Sequence, residues 1–328
     1  MRIALDAMGS DKAPKPEIKG MQEALHEFSD LGISLIGKID LLNNANSLTE
    51  SSRLEIIDTN EVIGMHEAPS EALRLKRNSS IALAINLLKE KRADAMVSAG
   101  NTGAIMAFAM SYLGTVAGID RPALAAIFPN LKGSTFVIDI GANVNVKPIN
   151  LYQFAVMGSI TASFMFKKAN PTVGLLNIGQ EEKKGTEITQ SAYKLLQQSD
   201  LNFVGNVEGY DVLRGSCDVI VCDGFVGNVV LKFGEGMAEI VSEMLEEYLA
   251  SASKYRVRRW LSKPVLSEFI SRMSYEEYGG ALLLGVNGTV VIGHGRSSSK
   301  ALKNAIKTAI CAVQGKTLEH IAEKFQVK

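Results

Sequence analysis

Short apolar runs rich in β-branched residues alternate with longer stretches of helical spacing along the whole chain. The runs Ile3–Leu5, Ser34–Ile36, Leu54–Ile57, Ala95–Ser98, Leu124–Phe128, Thr135–Ile138, Val173–Asn177, Asn202–Val204, Asp218–Cys222 and Val290–Ile292 predict strands. Such runs, bounded by turn residues, suit a sheet covered on both faces. Between them the spacing predicts helices over Ile18–Phe28 (apolar at Ile18, Met21, Leu25 and Phe28), Ser80–Glu90, Ile149–Lys167, Thr186–Gln198 and Gly227–Ser251. Strands alternating with helices imply βαβ units, hence an α/β fold with a mainly parallel sheet in a three-layer αβα arrangement. No fixed-period repeat and no Pro- or Ser-rich linker divides the chain, so residues 1–328 are read as one unit with room for two lobes and a cleft. Ser298–Val313, apolar at Leu302, Ala305, Ile306, Ala309 and Ile310, is expected to pack back on the sheet.

Loops of Gly, Asn and Asp follow several of these strands: Ser98-Ala99-Gly100-Asn101-Thr102-Gly103, Asp139-Ile140-Gly141-Ala142-Asn143, Asn177-Ile178-Gly179 and Asp223-Gly224-Phe225-Val226-Gly227-Asn228. In open α/β sheets ligands collect outside the carboxyl ends of strands, where glycine lets backbone N–H groups approach an anion and helix N-termini add positive potential. These loops are expected to converge on one site for something oxygen-rich and anionic.

Composition narrows the function. Lys+Arg and Asp+Glu are each 35, so overall charge gives no case for a nucleic-acid partner. Three scattered cysteines, Cys217, Cys222 and Cys311, make neither a disulfide framework nor a zinc knuckle, and reduced thiols favour the cytoplasm. An acid, Asp6, follows only three apolar residues after Arg2, so no secretory signal core is expected. Ala104–Gly118 and Ala281–Gly293 are interrupted and fall short of the roughly 20 residues a membrane span needs.

Standard nucleotide signatures fail. Gly234-Glu235-Gly236 meets Glu239 where a dinucleotide fingerprint needs Gly, and Gly315-Lys316-Thr317 has Ile310 where a P-loop needs Gly. No cofactor is therefore expected, and with His26, His66, His294 and His320 isolated from one another, no metal either. Gly293-His294-Gly295-Arg296-Ser297-Ser298-Ser299-Lys300 reads as a phosphate-binding turn opening a helix, or as plain serine capping beside a solvated Arg296. Asn228 reads either as an amide aimed at an oxyanion or as a helix cap, and Lys184 taken alone is ordinary solvated surface.

The segment from Ser253 to Tyr278 breaks the pattern. It carries Lys254, Arg256, Arg258, Arg259, Lys263 and Arg272 with Trp260, Leu261, Val265, Leu266 and Phe269, and Pro264 suits the first turn of its second helix. One reading is a protruding amphipathic hairpin (253–278) that contacts a membrane surface. The other is a helix pair facing a dimer or the core.

The ordered motifs resemble those of the bacterial phosphate acyltransferases, the PlsX family: Asp6-Ala7-Met8-Gly9-Ser10-Asp11, Ser98 to Ala104, Asp139 to Asn143, Asn177-Ile178-Gly179 with Glu181, Lys184 and Gly185, Gly205 to Gly209, Asp223-Gly224-Phe225 with Gly227 and Asn228, and Gly279-Gly280-Ala281 before His294-Gly295. The resemblance implies a fold like isocitrate and isopropylmalate dehydrogenases and a homodimer. It implies a peripheral position on the inner face of the cell membrane as well. Its reaction moves a long-chain acyl group from acyl carrier protein to inorganic phosphate, giving acyl-phosphate for phospholipid synthesis by a membrane glycerol-3-phosphate acyltransferase. Lys184 and Asn228 fall on the motif positions that family uses for catalysis, and Asp6, Asn101, Asn143, Glu181, His294 and Ser297 on positions expected to hold phosphate or substrate. Where serine often follows His-Gly in the family, this chain has Arg296 and then Ser297.

The chemistry agrees with that inventory. Phosphate is already largely dianionic near neutrality, its second ionisation lying near about 6 as in a phosphate monoester, and a thiolate of pKa about 8.5 leaves without a strong acid. What remains is to hold two anions together and stabilise a tetrahedral oxyanion. Acidic carrier protein calls for a basic docking face, for which Arg74-Leu75-Lys76-Arg77 is the local candidate. The rival readings are a coenzyme A-dependent phosphotransacetylase or phosphotransbutyrylase, and a non-catalytic membrane-surface scaffold.

Overall fold

A computed structural model describes residues 1–43, 52–251 and 277–326. In chain order its first half comprises β1 (Arg2–Asp6), α1 (Lys15–Glu27), β2 (Gly32–Gly37), α2 (Ile39–Asn43), β3 (Leu54–Asp58), α3 (Pro69–Leu75), α4 (Ser80–Lys89), β4 (Ala95–Ser98), α5 (Thr102–Tyr112), β5 (Ala123–Asn130) and β6 (Gly133–Ile138). There follow α6 (Pro148–Met165), β7 (Thr172–Leu176), α7 (Glu187–Gln197), β8 (Asn202–Val207), α8 (Gly209–Arg214), β9 (Val219–Val221) and α9 (Gly224–Ser251). The chain closes with β10 (Ala281–Leu284), β11 (Thr289–Ile292), α10 (Ser299–Gln314) and α11 (Thr317–Gln326).

The strands form one 11-stranded sheet in the order β3-β2-β1-β4-β11-β10-β5-β6-β9-β7-β8. Its two flanks are parallel, as the alternation of strand and helix predicts, while β11-β10, β10-β5 and β5-β6 pair antiparallel at the centre. Side-chain alternation divides each strand between two cores. In β1, Ile3 and Leu5 join the core that α1, α6, α7, α10 and α11 cover, whereas Ala4 joins the one under α3, α4, α5 and α8. Val230 and Leu231 bring α9 onto that second face. The expected three-layer αβα arrangement is therefore present.

Local chemistry explains the helix starts that frame the site. Asn101 caps α5 by accepting from Ala104 N–H, and Ser298 caps α10 by accepting from Ala301 N–H. The tract Ala281–Gly293, of which only the end was predicted as strand, is a hairpin; Gly285 and Gly288 break it between β10 and β11. Residues 252–276 lie outside the described residues, and with them Trp260, Leu261, Val265, Leu266 and Phe269. No described helix is long and apolar enough to cross a membrane.

Candidate active site

A cavity of about 500 Å³ lies over the second face at the sheet centre, between α5 and α9. Its floor is apolar, from Leu124 and Ala126 of β5, Ile140, and Ile292 of β11, with Met65, Met106 and Leu231 on the walls. Its polar rim comes from Gly100, Thr102 and Gly103 at the start of α5, from Gly293, His294, Gly295 and Ser297 before α10, and from Gly141 and Asn228. Three of the four expected strand-end loops thus converge, joined by the Gly293 turn, whereas the Asn177 loop lies outside the lining. Two helix N-termini, those of α5 and α10, bring backbone N–H groups and positive potential to one rim.

Two buried carboxylates organise these loops from below. Asp139 accepts from Leu124, Gly141 and Ala142 N–H through Oδ1, and from Asn143 N–H and Nδ2 through Oδ2, at 2.8 to 3.2 Å. Burial raises its pKa, against the opposing pull of those donors. Asp6 accepts from Ser98 Oγ at 2.6 Å and from Met8 N–H at 2.9 Å, and the same Ser98 oxygen accepts from Gly100 N–H, so the ends of β1 and β4 are tied together. Burial raises the Asp6 pKa too.

Several predicted ligands prove to be part of this framework. Asn101 donates to the Gly64, Met65 and Glu67 carbonyls while capping α5, and Asn143 spends Nδ2 on Pro122 O and Asp139. Asp6, Asn101 and Asn143 shape the loops, and their side chains stay behind the cavity lining. The helix that the sequence starts at Gly227 begins at Gly224, which puts Asn228 one turn inside α9. Its Nδ2 donates to Ile140 O at 3.1 Å, and an amide nitrogen carries two hydrogens. Two glycines permit this approach. A Cβ on Gly141, whose φ is +148°, would lie 2.9 Å from Asn228 Nδ2, and one on Gly227 would lie 1.8 Å from Asp139 O.

His294 and Ser297 both line the cavity. The Ser297 hydroxyl accepts from His294 N–H at 3.1 Å, and His294 Nδ1 accepts from Arg296 N–H at 3.1 Å. That bond leaves the ring proton on Nε2. Partial burial, then the neighbouring Lys232 and Arg296, lower the His294 pKa. Arg296 itself turns away to Glu239 at 3.2 Å, so it is not the cation of the phosphate turn.

Lys184 and Glu181 stand apart. Both are exposed on the loop after β7, 4.0 Å from each other, and no residue of that loop lines the cavity. The neighbouring strand β9 carries the loop that leads to Asn228, so the two groups project from adjacent strand ends. Of the basic strip, Arg74 and Arg77 are exposed, whereas Lys76 is taken up by Glu67 at 2.6 Å and Val62 O at 2.7 Å. Cys222 is buried with Sγ donating to Asp139 O, and burial pushes its thiol well above the usual range. Among the described residues no group of three His, Cys, Asp or Glu side chains could hold a metal ion. Sequence reasoning missed Asp139 as an organiser and missed Lys232 and Glu235, which follow Asn228 into the cavity wall at helical spacing.

The α/β fold is shared with a phosphotransacetylase from Streptococcus pyogenes, which superposes with a TM-score of 0.63 over 96% of this chain and 94% of its own, at 16% identity. The particular family follows from sequence. The chain belongs to the phosphate acyltransferase family, its residues 1–319 matching the family model described as fatty acid synthesis protein. It is 50% identical to the phosphate acyltransferase of Heliobacterium modesticaldum over all of this chain and 98% of that one. The phosphate acyltransferase of Thermoanaerobacter pseudethanolicus is 47% identical over 99% of this chain and 98% of its own. The expected membership and the expected class, an acyltransferase enzyme, are borne out.

Proposed function

We propose that the chain transfers a long-chain acyl group from acyl carrier protein to inorganic phosphate, giving acyl-phosphate for phospholipid synthesis. The observation that carries this reading is the division of the cavity into an anion-binding rim and an apolar floor. Phosphate sits under the α5 and α10 N-termini, held by His294 Nε2 and the Ser297 turn, and attacks the thioester carbonyl directly. Asn228 turns its second amide hydrogen to the developing oxyanion; such a preorganised donor is worth about 3 kcal/mol in the transition state. The acyl chain lies along Met65, Met106, Leu124 and Leu231. Lys184 and Glu181 close the site from the adjacent strand end. Asp6, Asn101 and Asn143 act by holding the loops in place.

The partners follow from surfaces. Arg74 and Arg77 lie at the end of α3, the helix that follows the segment whose Met65 walls the cavity, which suits docking of an acidic carrier protein. Phe225, Val229, Phe233, Met237, Ile240, Met244 and Tyr248 form an exposed apolar stripe on α9, which suits a homodimer. The basic, Trp-containing segment 253–278 suits peripheral attachment to the inner face of the membrane, where the reactive anhydride passes to a glycerol-3-phosphate acyltransferase.

Mass spectrometry after mixing the protein with palmitoyl-carrier substrate and phosphate tests the reading. Acyl-phosphate with stoichiometric release of carrier thiol is expected. Turnover of acetyl-CoA alone would replace the reading with the phosphotransacetylase alternative.

A further inference from the structure

We propose that Lys232 is the cation that binds phosphate in the cavity, a role that rests on the phosphate acyltransferase reading above. Asn228, Leu231, Lys232 and Glu235 line the cavity at spacings of three and four residues, so one stripe of α9 faces the ligand. Four residues of helix advance about 6 Å, so Lys232 follows Asn228 by about one turn along the cavity wall. Among the described residues that line the cavity, Lys232 is the only lysine or arginine. The charged and titratable groups around it are Glu235 and Glu239 on its own helix, Asp11 after β1, and His294 and Arg296 before α10.

Glu235 holds Lys232 Nζ at 3.0 Å, and the Glu235 carboxylate is the more buried partner. Two carboxylates at the rim, Asp11 and Glu235, repel a dianion unless a cation stands between. Lys232 is that cation: its Nζ carries three hydrogens, so it keeps Glu235 and still donates to a phosphate oxygen. Lys184 lies outside the lining and makes no such contact. The Asn228 and Lys232 pair thus divides the task, the amide serving the carbonyl oxygen and the ammonium serving the nucleophile.

The test compares Lys232→Met, Lys232→Gln, Lys232→Arg and Lys184→Met in the full chain. Phosphate KM, carrier KM and kcat are measured by thiol release, and calorimetric titration with inorganic phosphate runs in parallel without turnover. Lys232→Met and Lys232→Gln are expected to raise the phosphate KM and Kd at least about tenfold while the carrier KM stays within about twofold, as losing one charge-assisted contact requires. Lys232→Arg should recover most of the loss, and Lys184→Met should leave phosphate affinity alone. Unchanged phosphate Kd in Lys232→Met and Lys232→Gln, or a tenfold loss confined to Lys184→Met, overturns the assignment. If the parent protein binds phosphate but forms no acyl-phosphate, the reaction reading fails while the titration still decides Lys232.

Discussion

Glu17 offers the clearest link between pH, stability and the site. It is fully buried in α1, its Oε1 accepting from Ser10 N–H at 3.0 Å, and burial raises its pKa from the ordinary 4.5 to about 7. The hydrogen bonds from Ser10 oppose that rise and the nearby Asp6 adds to it. A carboxyl with a raised folded pKa keeps its proton longer in the folded chain, so its contribution is intact below pH 4.5 and is withdrawn as pH climbs through about 7. Between pH 5 and pH 8 the linkage amounts to roughly 2 to 3 kcal/mol. Glu17→Gln keeps an oxygen for Ser10 N–H and cannot ionise, so its stability should lose that slope: near parity with the parent at pH 5, and a gain of roughly 2 kcal/mol at pH 8. Urea unfolding of both proteins at pH 5, 6, 7 and 8 measures this directly. Stability differences that stay within about 0.5 kcal/mol of each other across the series would refute the argument, because a titrating buried carboxyl must show in the slope. The same residue props the 8–11 loop, where Asp11 N–H donates to Gly295 O at 2.8 Å, so the ratio of parent to variant phosphate affinity should fall over the same interval, the ionisation of phosphate itself being common to both.

Three further outcomes are expected. Gly227→Ala forces α9 off Asp139 O and should cost about 3 kcal/mol with a loss of activity, read from the urea midpoint and thiol release; an unchanged midpoint would mean the close approach is not required. Cys222→Ala should retain kcat within about twofold and lose about 1 kcal/mol of stability, whereas a hundredfold fall in kcat would make the thiol a nucleophile after all. Arg74→Glu with Arg77→Glu should raise the carrier KM about tenfold, more so at low salt, while Lys76, already paired with Glu67, should matter through fold stability instead.

Much of this architecture can be read from the chain. Every run marked as a strand is one, because short apolar or β-branched runs bounded by turn residues are a simple signature. The missing strand, Ala281–Leu284, is leucine-rich and runs straight into a glycine turn, so periodicity could not separate it from a buried helix. Helix α5 escaped for the related reason that its apolar residues are not confined to one face. Site residues divide along the same line. Glycine-rich loops announce where a backbone approaches a ligand, but Asn101 and Asn143 look identical in sequence whether they bind substrate or brace a loop. Lys232 looks like any exposed helix lysine until α9 is placed against β6.

Strand order explains why the loops meet at all. Pairing makes β4 and β9 antiparallel across the sheet, so on a flat sheet the helices after them, α5 and α9, would start from opposite ends. Five strand-to-strand steps separate β4 from β9. At about 20 to 25° each, the accumulated twist is roughly 100 to 125°, enough to turn one flank across the other and let α5 and α9 wall the same central face. The antiparallel strands β10, β5 and β6 are therefore what make the site: they reverse the second flank and supply the steps over which it turns. Leu124, Ala126 and Ile140, on or next to these strands, are the apolar floor. A chain that kept both parallel flanks but joined them directly, β11 to β9 in parallel, would carry its anion-binding loops along a single edge and lack the apolar floor on which an acyl chain meets phosphate.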